Sequence, residues 1–169
     1  MIGIVMGSDS DLPKLKQAAE TLSELGLPWE VRVLSAHRTP AAAMAYAASA
    51  RERGLKAIIA GAGAAAHLAG VVAAHTSLPV IGVPLSGSAL GGIDALHSTV
   101  MMPPGIPVAC MAVDGARNAA LFAAAILAVA DPGVRERLEG WRRAQTEAAL
   151  GRDQRLQELG IDVYLQQKR

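Results

Sequence analysis

Met1–Met6 is a continuous apolar run, the length and character of a strand buried on both faces. Leu12–Leu25 differs: its apolar residues fall at Leu12, Leu15, Ala18, Ala19, Leu22 and Leu25, a helical spacing that Gly26 and Pro28 bring to an end. The apolar run Trp29–Leu34 looks like a strand, and Val31–Leu34 is read as strand two. Pro40 fits the first turn of a helix running to about Arg53, which Gly54 caps. Ala57–Ala60 is strand three, and a helix of about ten residues opens near Ala64 or Ala65. Pro79–Val83 is strand four. A Pro/Ser/Gly-rich loop over 84–94 leads to a short helix, Ile93 to Val100. After the turn Met102-Pro103-Pro104-Gly105, strand five is expected over Ile106–Val113. Asp114 is placed to N-cap a strongly apolar helix from about Gly115 to Ala130. Asp131-Pro132-Gly133 breaks that helix, and an amphipathic one over Val134–Leu150 leads into a polar tail.

Short strands alternating with longer helices predict an α/β fold. The expected form is a doubly wound three-layer sandwich with a central parallel sheet, flavodoxin/Rossmann-like, plus C-terminal helices. Residues 1–150 read as a single α/β domain. The tail 151–169 mixes Leu156, Leu159, Ile161, Val163 and Tyr164 with many charges, so it either frays or docks on a neighbouring subunit.

Composition narrows the function classes. The chain of 169 residues is 51% hydrophobic but only 3% aromatic, so its core is built from Ala, Val, Ile and Leu. Such side chains bury little area each, and oligomerisation is expected. The net charge is +1, with acids and bases balanced before and after residue 130, which argues against a nucleic-acid partner. Cys110 lies in an apolar strand-like run and reads as a core thiol rather than a nucleophile. No cleavable signal and no membrane helix is expected, which makes the cytoplasm the default location.

Three polar loops share one edge of the predicted sheet, the C-terminal ends of its strands, where ligands of open α/β folds bind. Gly7-Ser8-Asp9-Ser10-Asp11 follows strand one. Its hydroxyls beside free helix-start N–H groups suit an anion. Asp11 could equally be the N-cap of helix one, and two acids would repel a bare phosphate; a sugar hydroxyl plus a phosphate is the better match. No Gly-Lys-Ser/Thr follows, so this is not a P-loop. Ser35-Ala36-His37-Arg38-Thr39-Pro40 follows strand two. It sets a proton-transfer residue beside an anion-binding one. Ser35 and Thr39 are also natural capping residues. Gly61-Ala62-Gly63-Ala64-Ala65-Ala66-His67 follows strand three. It matches the weak form of a dinucleotide fingerprint but stands after the wrong strand, and no acid ends strand four to hold a ribose. His67 faces either pocket or core; His75 and His97 read as structural.

The three loop sequences, with Leu78–Pro84, Met102-Pro103-x-Gly105-x-Pro107-Val108, Asn118–Leu121 and Trp141-Arg142-x-Ala144-Gln145-Thr146, resemble the N5-carboxyaminoimidazole ribonucleotide mutases. This is the phosphoribosylaminoimidazole carboxylase catalytic-subunit family of purine biosynthesis. The resemblance covers about residues 1–150. Arg38, Ala66 and His67 align it with the bacterial mutase branch rather than the branch that uses free carbon dioxide.

The resemblance implies conversion of N5-carboxyaminoimidazole ribonucleotide to its C4-carboxylated isomer by decarboxylation and recarboxylation. His37 and His67 would be catalytic, with His37 as the acid/base and His67 near the transferred carboxylate. Ser8, Ser10, Asp11, Ser35, Arg38, Gly61, Gly63 and Leu68 would bind substrate; Ser8, Ser10 and Arg38 would lie toward the phosphate and Asp11 on the ribose hydroxyls. No metal or organic cofactor is implied. The partners would be the ribonucleotide and other copies of the chain, as a homo-octamer. Ala64, Ala69, Ala95, His97 and Met101, and a short Val113-Asp114-Gly115, depart from the usual pattern, which puts the geometry around 84–101 in question. Two other readings stay open: a non-catalytic nucleotide- or phosphate-binding module, which leaves His37 without a task, and a dinucleotide oxidoreductase, disfavoured by the missing acid.

Overall fold

The computed structural model of the chain describes residues 1–167. Five parallel strands form one sheet in the order β2-β1-β3-β4-β5, where β1 is Ile2–Met6, β2 Trp29–Val33, β3 Ala57–Gly63, β4 Val80–Leu85 and β5 Ala109–Cys110. Among the described residues six α-helices surround it: α1 Leu12–Glu24, α2 Pro40–Ser49, α3 Leu68–Ala74, α4 Ile93–Val100, α5 Ala116–Ala128 and α6 Pro132–Gln166. This is the flavodoxin-like doubly wound order, with helices on both faces.

The alternation along β1 builds both layers. Ile2, Ile4 and Met6 pack with Ile59 and Ile81 against Leu15 and Leu22 of α1 and the alanine face of α5. Val5 points the other way, with Ile58, Ala60 and Val80, against Tyr46 and Ala47 of α2 and Val72 of α3. Small residues let the layers close up: a Cβ on Gly61 would lie 2.6 Å from Leu15 Cδ1. Cys110 is half-buried, and burial pushes its thiol up. No helix among the described residues is long and apolar enough to cross a membrane.

Several boundaries differ from expectation, beginning with α2, which stops at Ser49 rather than at about Arg53. β3 continues through Gly63 because Ala62 and Gly63 keep pairing with Pro84 and Leu85 of β4. Ala64 then takes φ +50, a left-handed conformation that cannot start a helix, so α3 begins at Leu68 rather than near Ala64 or Ala65. β5 has two residues instead of the run Ile106–Val113; Pro107 has no N–H for a ladder, and the chain leaves the sheet edge after Cys110. Asp114 does not cap α5. It sits at φ +57 with its carboxylate on Ser86, and Gly115 takes the N-cap position without a side-chain bond. Finally, the last helix does not stop at Leu150. Asp131 caps its start by accepting from Gly133 N and Val134 N, and the helix runs through Gly151 as far as Gly160, where the backbone leaves helical geometry (φ 70, ψ 166) and kinks before a last helical stretch to Gln166. Gly151 weakens the helix interior without ending it.

Candidate active site

The loop after β1 folds as a 3₁₀ turn over Asp9–Asp11 that caps itself reciprocally. Ser8 Oγ accepts from Ser10 N at 3.3 Å, and Asp11 Oδ2 accepts from Ser8 N at 3.1 Å. Asp11 therefore turns back into the loop instead of capping α1 with its side chain. Ser10 Oγ donates to Ser8 Oγ at 2.8 Å, which places both hydroxyls together. Burial raises the Asp11 carboxyl above its ordinary value, although the Ser8 amide, Lys14 and Arg38 all pull it down.

The loop after β2 is held by Ser35 and Thr39. Ser35 N donates to Thr39 Oγ1 at 2.9 Å and Thr39 N to Ser35 O at 2.9 Å, so both expected capping residues lock the loop on itself. Arg38 N donates to Ser35 Oγ at 3.1 Å. The Arg38 guanidinium crosses to the first loop, where Nη2 donates to Gly7 O at 2.6 Å. That bond orients the fork while leaving other N–H groups for an anion.

His37 Nε2 lies 2.9 Å from His67 Nδ1, with the rings edge to face at 82° and their centroids 5.0 Å apart. One nitrogen must donate and the other accept, so at least one ring of the pair is neutral while the contact holds. His67 is thus exposed at the sheet edge rather than in the core, at the N-cap position of α3. His75 ends that helix with Nδ1 2.8 Å from Val71 O, as a structural residue would.

These loops surround a cavity of about 580 Å³. Ser8, Ser10, Asp11, Ser35, His37, Arg38, Gly63 and Leu68 line it. Gly61 does not; it is buried in β3 beneath Leu15, where its role is to admit that side chain. His67 touches His37 but opens onto an adjoining cavity of about 390 Å³ with Gly70, His97, Met101 and Met102. His97, read as structural, is exposed there.

Sequence reasoning missed a fourth wall, Ser86-Gly87-Ser88 after β4, and missed Lys14 in the first turn of α1. Lys14 Nζ donates to Ser86 O and, at 2.6 Å, to Ser86 Oγ, and pairs with Asp114 Oδ1 at 3.3 Å. Burial would raise the Asp114 carboxyl, but its bonds from Ser86 and Lys14 prevail and hold it below the ordinary value. The available signals were that Ser86-Gly87-Ser88 ends a strand at the ligand edge and that Lys14 stands one turn beyond Asp11.

The sequence matches the family model described as AIR carboxylase over residues 1–148. It is 51% identical over 165 residues to the N5-carboxyaminoimidazole ribonucleotide mutase of Pyrococcus horikoshii, covering 98% of this chain and 93% of that protein. It is also 51% identical over 168 residues to the phosphoribosylaminoimidazole carboxylase of Saccharomyces cerevisiae, covering 99% of this chain but 29% of that longer protein. The fold superposes on the crystal structure of Treponema denticola PurE with a TM-score of 0.82 and 26% identity, over 92% of this chain and 97% of that one.

Proposed function

The chain belongs to the AIR carboxylase family, and from that premise we propose that it is an N5-carboxyaminoimidazole ribonucleotide mutase of purine biosynthesis, with His37 as its acid/base. The observation that carries this reading is the His37–His67 contact of 2.9 Å beside a cavity that also presents Arg38 and Asp11. A volume of about 580 Å³ suits a nucleotide-sized ligand.

The chemistry follows from the substrate's electrons. The carbamate N–C bond breaks, carbon dioxide leaves, and the nitrogen takes a proton from His37. The electron-rich ring then attacks carbon dioxide through C4, and His37 removes the C4 proton, so that the net change is an isomerisation. One group acting first as acid and then as base must titrate near neutrality, which histidine does. The wall of Ala62, Gly63, Ala64, Ala65 and Leu68 offers no nucleophile to trap the carbon dioxide. Arg38 with Ser8 and Ser10 holds the phosphate, Asp11 accepts from ribose hydroxyls, Ser35 fixes the Arg38 loop, and His67 orients His37 and lies near the migrating carboxylate.

The protein acts as a homo-oligomer, an octamer by family resemblance. Exposed Leu150, Ile161, Val163 and Leu165 on α6 support a partner surface along the C-terminal segment. Light scattering on the intact chain checks this: a monomeric mass at micromolar concentration overturns it.

The yeast relative is named a carboxylase, and the second reading is carboxylation of the unsubstituted aminoimidazole ribonucleotide by free carbon dioxide. One assay separates the two. Purified protein without ATP is given either the carbamate substrate or aminoimidazole ribonucleotide with bicarbonate, and the C4 carboxylate is followed. The mutase reading requires turnover of the carbamate to exceed that of the second pair; the reverse order overturns it.

A further inference from the structure

The Lys14–Ser86–Asp114 trio lies on the cavity wall but has the wrong valence for either common task. An ammonium has three N–H donors. Those of Lys14 are committed to Ser86 O, Ser86 Oγ and Asp114 Oδ1. None is left over for a phosphate. Ser86 is not a nucleophile either. Its hydroxyl accepts from Lys14 and donates to Asp114 Oδ2 at 2.5 Å, and the lysine that would have to be a neutral base is ion-paired.

What the trio does is join three elements that are distant in sequence. Lys14 belongs to α1, Ser86 to the loop after β4, and Asp114 to the turn before α5. Asp114 is fastened twice to the β4 end, through its amide to Pro84 O at 2.9 Å and through its carboxylate to Ser86 N at 2.9 Å. It does so at φ +57, a left-handed backbone that costs energy unless its surroundings demand it. At the other end of this short wall, Ser88 Oγ donates to Asp94 Oδ1 at 2.8 Å. Between the two anchors Gly87 is exposed, with φ +123.

We propose that Lys14 is a positioning residue: with Asp114 it clamps Ser86 and thereby sets the Ser86-Gly87-Ser88 wall against which the ribonucleotide is held. The inference rests on the mutase reading for its kinetic consequence but not for its structural one. A clamp acting through the wall changes how well substrate is held, not the proton transfers at His37, so KM responds and kcat does not.

The test uses the full chain with Lys14→Met, Asp114→Asn and the double variant. Hydrogen–deuterium exchange is read on the amides of 86–92, and steady-state kinetics on the carbamate substrate. Lys14→Met is expected to speed exchange of 86–92 about tenfold and raise KM about tenfold, with kcat within about threefold. The double variant is expected to match the worse single one, because the trio works as a unit. Lys14→Arg is expected to recover part of the KM loss. Asp114→Asn keeps shape and volume, and supplies the same exchange readout if Lys14→Met does not fold. Unchanged exchange over 86–92 in both single variants, or a drop confined to kcat, overturns the proposal. A wild-type protein with no turnover overturns the mutase reading instead, and the exchange data still decide the clamp.

Discussion

The two ends of the sheet carry similar residue types to opposite effect. At the start of the strands, Glu30 pairs with Arg53 at 2.7 Å, and the Arg53 guanidinium lies 4.5 Å over the Tyr46 ring. Burial and the neighbouring Glu30 push the Tyr46 hydroxyl well above its usual range; burial would also raise Glu30, but Arg53, Tyr46 and Arg32 together hold it below its own. The Glu30–Arg53 pair closes on itself within the scaffold, while the buried Tyr46 hydroxyl beside it makes no hydrogen bond. At the other end, the Arg38 guanidinium donates to Gly7 O and to Ser35 Oγ and faces a cavity with its remaining N–H groups, and His37 meets another titratable ring. The difference teaches where function resides. Polar groups that satisfy one another hold the fold, and polar groups left with spare valence beside a cavity are available to a ligand.

That contrast breaks if function and stability respond alike at both ends. The largest effect is expected at His37. His37→Asn should keep the fold and substrate binding and lower kcat by about 10²–10⁴-fold. Steady-state kinetics beside a circular dichroism spectrum check it, and activity within about threefold of wild type removes His37 from the acid/base role. Next comes Arg38→Ala. Loss of a hydrogen bond to a charged group costs about 1.5–3 kcal/mol, so Kd for the ribonucleotide should rise about 10–150-fold. A lysine there should restore only part, because a point charge replaces a fork. Calorimetric titration reads this, and an unchanged Kd counts against phosphate binding.

The opposite end should behave in reverse. A Cβ on Gly3 would stand 2.3 Å from the Tyr46 hydroxyl oxygen and 2.7 Å from Leu55 Cδ2. Gly3→Ala should cost about 1–3 kcal/mol through overpacking, a fall in Tm of about 2–10 °C, with kcat at 25 °C unchanged. A thermal melt that matches wild type would show that this end yields more than its packing suggests.

The smallest effect sharpens the contrast, because one residue should move stability and function in opposite directions. The Asp11 carboxyl titrates above its ordinary 3.8, so the folded chain binds that proton more tightly than the unfolded one. Its contribution to stability is complete below 3.8 and is lost as pH rises through the folded value. Charged Asp11 therefore costs stability at neutral pH. Asp11→Asn keeps an acceptor for Ser8 N and removes that cost. A rise in Tm of at most about 2 °C at pH 7, absent below 3.8, is expected together with weaker substrate binding. Melts at the two pH values check the sign.

Local pattern was enough wherever the deciding interaction was local. The apolar run of β1, the helical spacing from Leu12, and the punctuation by Gly26 and Asp131-Pro132 appear in the fold as read, whereas the second helix stops at Ser49, short of Gly54. Local pattern failed where a distant partner outbid it. Asp114 has the residue type and position of a helix cap, yet its carboxylate lies on Ser86. Gly61 has the type and place of a ligand-loop glycine, yet β4 pairs with it and keeps it buried in the sheet, and only from Ala62 and Gly63 onward does the segment line the cavity. Gly151 has the look of a boundary, yet α6 passes through it, since no proline or competing cap stops the helix there.

By itself the sequence determined the α/β alternation, the parallel sheet it requires, and the three loops whose residues line one edge with His37 and Arg38. Each of these follows from periodicity and residue chemistry within a few positions. Tertiary structure alone decided that His37 meets His67, 30 residues away, that Gly61 stays buried while Gly63 reaches the cavity, and that Lys14 finds Ser86, 72 residues away. The physical reason is that a side chain's partner depends on strand order and register. Those are set by the packing of the whole sheet and leave no periodic mark on the residues they bring together.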